Sequence, residues 1–130
     1  TVAGGQGGGS GAQQLNYPVG VALAPDGAVL VADQHNHRVQ RCPAGGSGDC
    51  TTVAGGQGGG SGAQQLNYPI GVALAPDGAI LVADQHNHRV QRCPAGGSGD
   101  CTTVAGGQGR GSGAQQLNRP IGVALAPDGA

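Results

Sequence analysis

Apolar and polar positions run in blocks along the chain. Val19-Gly20-Val21-Ala22-Leu23-Ala24 is apolar throughout, which suits a strand buried on both faces. Pro25-Asp26-Gly27 ends that block with turn chemistry, Pro presetting φ and Gly accepting the left-handed conformation. Ala28-Val29-Leu30-Val31-Ala32 is a second apolar block, and Asp33-Gln34-His35-Asn36-His37 reads as a polar turn. Arg38-Val39-Gln40-Arg41-Cys42 then reads as a third strand with only one face apolar. A Gly-rich loop over Pro43 to Asp49 leads to a fourth strand, Cys50-Thr51-Thr52-Val53-Ala54, and Gly55 to Asn67 reads as a flexible connector.

The order then begins again. Thr1-Val2-Ala3-Gly4-Gly5-Gln6 recurs at Thr52 and Thr103, a period of 51 residues in a chain of 130. Repeats one and two differ only at Val19 against Ile70 and Val29 against Ile80, swaps of one methylene that a packed site tolerates. The incomplete third copy has Arg110 and Arg119 where the second has Gly59 and Tyr68. Four short strands joined by tight turns, repeating every ~50 residues, predict an all-β fold of tandem four-stranded antiparallel propeller blades. On this reading residues 1–16 hold the outer strand of a preceding blade and a Gly-rich connector, 17–54 are a blade, and 55–67 a connector. Residues 68–105 are a second blade, 106–118 a connector, and 119–130 the inner strand of a third blade. Thr1 to Ala3 and Pro120 to Ala126 are then orphan strands. Two blades fall short of the ~4–8 that close a ring, so the expected setting is a longer propeller or an open superhelical array.

These blocks carry a resemblance. Asn16-Tyr17-Pro18-Val19-Gly20-Val21-Ala22-Leu23 with Pro25-Asp26-Gly27, then Leu30-Val31-Ala32-Asp33 and Asn36-His37-Arg38-Val39-Gln40, resembles the NHL repeat, named for Asn-His-Leu. The likeness covers 16–40 and 67–91 in full and 118–129 in part. The namesake tripeptide is altered to Asn36-His37-Arg38 and Asn87-His88-Arg89. The resemblance implies four-stranded blades in a propeller, commonly of about six. It also implies that Asp33, Asn36, His37 and Arg38, with their copies Asp84, Asn87, His88 and Arg89, are a structural signature. The turns Pro25-Asp26-Gly27 and Pro76-Asp77-Gly78 belong to the same pattern. Members of the family range from protein scaffolds and RNA binders to lyase or lactonase-like enzymes, so the fold alone does not decide function.

Composition narrows the choice. There are 29 Gly and 8 Pro, and Phe, Trp, Met, Lys and Glu are absent, so any core is built from Val, Leu, Ile and Ala. A net charge of −1 leaves no basic footprint for nucleic acid, and none is expected as a partner. No apolar run approaches the ~18–20 residues of a membrane span. Cys42 and Cys50, and again Cys93 and Cys101, lie at facing ends of a hairpin, within disulfide reach. Free thiols and zinc are the competing readings, although the spacing lacks the close pairing of a zinc knuckle. Paired cysteines would place the protein in an oxidising compartment, outside the cell or on its surface.

The one dense polar cluster in each repeat is Asp33, His35 and His37, repeated as Asp84, His86 and His88. Imidazoles beside a carboxylate are ordinary metal ligands. The plainer reading is that Asp and Asn cap the turn while His packs on the next blade. Metal-dependent lyases of this resemblance gather histidines around a central channel, whereas the inner strand here has none, so no metal or cofactor is expected. Arg38 and Arg41 could form ladders along stacked blades for anionic sugars or phosphates, or pair with Asp33 and Asp49 at blade seams. The Gly-rich connector lacks the Lys-Ser/Thr ending of a P-loop and precedes no helix.

Identical copies offer the same surface many times and no unique place for catalysis. The expectation is a non-enzymatic extracellular repeat protein acting as a structural, fibre-forming or scaffold element, partnered by further copies of its own repeat. The alternatives are a secreted propeller that binds proteins or glycans, and a metal-dependent lyase or hydrolase.

Overall fold

The computed structural model describes residues 1, 3–46, 48–97, 99–120 and 122–124. Each complete repeat forms one four-stranded antiparallel sheet in meander order. The first contains β1 (Pro18–Leu23), β2 (Val29–Asp33), β3 (Arg38–Cys42) and β4 (Thr51–Gly55); the second contains β5 (Pro69–Leu74), β6 (Ile80–Asp84), β7 (Arg89–Cys93) and β8 (Thr102–Gly106). The only helical features among the described residues are single 3-10 turns, such as Gln34–Asn36. No helix among them is long and apolar enough to cross a membrane. The inner strand expected over 119–130 lies largely outside the described residues, and the outer strand expected at Thr1 to Ala3 includes Val2, which lies outside them as well.

Local chemistry sets each reversal. At Pro25-Asp26-Gly27 the Gly27 N–H donates to the Ala24 carbonyl (3.0 Å), and Asp26 Oδ1 accepts from the Ala28 N–H (3.0 Å). Gly27 and Gly78 stand at φ 88° and 89°, a conformation that glycine adopts without steric cost. At the opposite end Asp33 faces Arg38 across β2 and β3, and His37 closes the intervening turn in the left-handed region at φ 52°. The β3–β4 loop is clamped by the Cys42–Cys50 disulfide, and the β7–β8 loop by Cys93–Cys101, each with 4.2 Å between Cα atoms.

The core is the seam between the sheets. Side chains alternate along a strand, which puts Leu30 and Val39 on one face of the first blade; a register shift between β3 and β4 inserts Val53 beside Ala54, and both join that cluster. They meet Val72, Ile80, Val82 and Cys93 on the opposite face of the second blade. Leu66, supplied by the connector, is fully buried in the same cluster. Gly20 explains a break in the apolar run of β1: a Cβ there would strike the carbonyl oxygen of Ile70, so the inner strands of the two blades approach this closely only because the residue is glycine. The sheets form an open stack of two blades, not a closed ring.

The connector differs from its sequence reading. Residues of all three copies fold back through parallel bridges at Gly8–Leu15, Gly59–Leu66 and Arg110–Leu117. Cys50 N–H donates to Ala12 O (2.9 Å), and Gln13 Nε2 to Asp49 Oδ1 (2.9 Å). These Gly-rich segments are ordered because distant residues answer their backbone groups, a demand that composition alone does not display.

Candidate functional site

The polar turn at the β2–β3 end of each blade organises one rim of the stack. Asp33, fully buried, is its hub. Its Oδ1 accepts from the Asn16 N–H (2.6 Å), and its Oδ2 accepts from Asn36 Nδ2 (2.9 Å) and Arg38 Nε (2.7 Å). The remaining Arg38 donors reach carbonyls of the connector: Ser10 (3.1 Å), Gly11 (3.3 Å) and Gln14 (3.1 Å). Asn36 adds the Gly9 carbonyl at 2.8 Å. Asp84, Asn87 and Arg89 repeat the arrangement on Ser61, Gly62 and Gln65. A buried charge is tolerable only when paired and fully hydrogen-bonded, and this one is both. Arginine at the third place of the tripeptide thus ties the connector to the sheet. The signature residues are engaged within the fold.

Arg41 sits apart from this hub. It pairs with Asp26, and Arg92 with Asp77, at the opposite rim. Asp49, its expected partner, instead accepts from Gln13. The reason is register: β3 runs beside β2, which brings Arg41 level with the β1–β2 turn that carries Asp26. Asp26 is held below the ordinary carboxylate range first by the Ala28 N–H and then by Arg41, against a smaller opposing effect of burial than that of the backbone bond. Asp77 is lowered in the same way, led by the Ala79 N–H. Gln40 is a buried polar residue that the sequence did not single out; its Oε1 accepts from the Thr52 hydroxyl (2.6 Å).

Rings cross the seam on the hub's rim. Tyr17 stacks on His35 with centroids 4.2 Å apart, and Tyr68 meets His35 at 5.4 Å, His37 at 4.6 Å and His86 at 4.5 Å. The Tyr68 N–H donates to His37 Nδ1 (3.1 Å), and the Arg119 N–H to His88 Nδ1 (3.0 Å). Tyr68 and His37 both lie at positive φ, 54° and 52°, and such strained residues persist only where their surroundings hold them. Burial first, and His35 second, keep the His37 imidazole below its ordinary pKa, with Asp84 opposing. His86 is likewise lowered, by burial and then Arg119, His88 and His37. Among the described residues no three of His, Cys, Asp and Glu stand close enough to share a metal ion. The two histidines of each turn do different work: His37 joins blades, while His35 is an exposed ring in the stack.

Strand order, blade stacking and the Asp–Asn–Arg hub define a propeller-type repeat protein. Residues 15–42 and 66–93, one stretch in each blade, match the NHL repeat. The chain is 33% identical over 70 residues to NHL-repeat-containing protein 4 of Mus musculus, covering 54% of this chain and 44% of that protein. For NHL-repeat-containing protein 4 of Homo sapiens the identity is 32% over 74 residues, covering 57% and 52%. The chain therefore spans about half the length of the curated relatives it matches. Among solved structures it is similar to an auxiliary nutrient binding protein from Bacteroides thetaiotaomicron, with a TM-score of 0.58 and 19% identity over 83% of this chain and 32% of that one. A likeness at that identity speaks to fold alone.

Proposed function

We propose that this chain is a non-enzymatic repeat scaffold, extracellular or at the cell surface, whose blades stack head to tail into a structural, fibre-forming element. One observation carries the reading. Val72 and Val53 face each other's blades across the seam at 8% and 4% exposure, whereas their counterparts on the outer faces, Val21 and Val104, are 67% and 53% exposed. Each outer face is chemically the partner of the other, so another copy of the repeat, in the same chain or a second one, fits either. A head-to-tail interface of this kind closes into a ring or climbs into a filament, depending on the rotation per step. The two disulfides favour an oxidising compartment. Near-identical copies favour multivalent assembly over a unique catalytic centre.

A second reading, a secreted propeller that binds small molecules, glycans or proteins, draws on the opposite rim. There a cleft of about 540 Å³ opens between the blades, lined by Val53, Leu74 and Ile80 beside Arg41, within the size range of small-molecule sites. The neighbour named for nutrient binding leans the same way. Electron microscopy of the purified protein separates the two. Elongated stacks, lost on Leu23→Asp, support the scaffold; discrete closed discs support the binding propeller. Stoichiometric zinc or calcium in the purified protein would instead revive the lyase alternative.

A further inference from the structure

The bond from Tyr68 N–H to His37 Nδ1 requires that nitrogen to be unprotonated, because a backbone amide can only donate. In this tautomer the ring's proton is on Nε2. The contact is a direct polar link from the first blade's turn to the residue that leads into β5 of the second blade, and the Arg119 N–H repeats it on His88 Nδ1. The ring is boxed in: the Tyr68 ring stands edge-on to it, and the backbone of Gly59 passes so close that a Cβ there would lie 3.1 Å from Cε1. A protonated His37 carries a proton on both ring nitrogens and so has no acceptor left for the Tyr68 N–H.

We propose that this joint is a proton-operated coupling, in which charging His37 breaks the hydrogen bond from the Tyr68 amide and loosens the second blade's entry at this rim in mildly acidic medium, while the apolar seam keeps the blades together. The charged and titratable groups around it favour the neutral ring. His35 faces it from its own turn, and His86 lies beyond Tyr68 on the second blade. Asp84, at the end of β6, is the one group that favours the proton, and its carboxylate is already taken by Arg89, Asn87 and the Asn67 N–H. The lowered imidazole pKa has a definite sign: the joint is fully stabilised above the ordinary value of 6.5 and is weakened as pH falls through it. The coupling lies inside one chain and does not depend on association between copies.

The test is amide hydrogen exchange at Tyr68 across pH 7.5 to 5, corrected for intrinsic rates, on the wild-type chain and on His37→Asn. Asparagine keeps an acceptor oxygen near the Nδ1 position and tolerates positive φ, but does not titrate. The expected result is protection at Tyr68 that falls as pH drops below 6.5, by at most tenfold per pH unit, and levels off once His37 is charged in the closed joint as well, and that stays flat in His37→Asn. Protection independent of pH in wild type, or equal pH dependence in both, overturns the proposal. Nitrogen NMR of the wild-type ring is a second check that needs no variant: a proton on Nδ1 at pH 7.5 also overturns it.

Discussion

Asp33 and Arg38 show how one pair of residues commits a whole repeat. They face each other across a hairpin, and their pairing is foreseeable from a five-residue spacing around a turn. The second half of the arrangement is not foreseeable, because the Ser10, Gly11 and Gln14 carbonyls that complete Arg38 lie 24 to 28 positions earlier in the chain. Only the folded connector brings them near. Removing one member of a buried pair strands the other, at a cost of about 3–5 kcal/mol. Asp33→Ala is therefore expected to lower stability by that amount in urea unfolding followed by circular dichroism. Arg41→Ala, which opens an exposed pair with Asp26, should barely move the midpoint; equal losses for the two variants would mean that burial does not set the ranking.

At the scale of elements, the strands were the legible part. Apolar blocks and Pro-Asp-Gly turns place all four strands of each blade within about a residue of where they form, because short apolar runs and turn residues are local signals. The connector was not legible, since glycine content says where a chain can bend and not which groups will hold it. Its buried anchor Leu66 and the close approach at Gly20 are residues that composition hid, as is buried Gln40. The glycine carried a faint signal, an interruption inside an apolar strand. Gly20→Ala should wedge the inner strands apart and destabilise the chain by about 1–3 kcal/mol, read by thermal unfolding. The Cys42–Cys50 staple closes a short loop, so a Cys42→Ser, Cys50→Ser double variant should lose roughly 2–3 kcal/mol under non-reducing conditions, with the meander itself retained by circular dichroism. Unchanged stability would assign that loop's order to the connector's bonds to Cys50 and Asp49 instead.

For the whole molecule, the organising fact is that each blade has two unlike apolar faces, and the seam satisfies one of each. Val21 and Leu23 on one outer face, and Val104 on the other, remain open, an arrangement that favours association over solitude. The proposed head-to-tail growth would also account for the near-identity of the copies, since any blade would have to follow any other. Sedimentation velocity over a wide range of protein concentration, at neutral pH, tests this most directly. If the blades stack head to tail, sedimentation coefficients rise with concentration into an elongated series, and a Leu23→Asp variant stays at the mass of one chain. A wild-type chain that sediments as a single compact monomer at every concentration would contradict it.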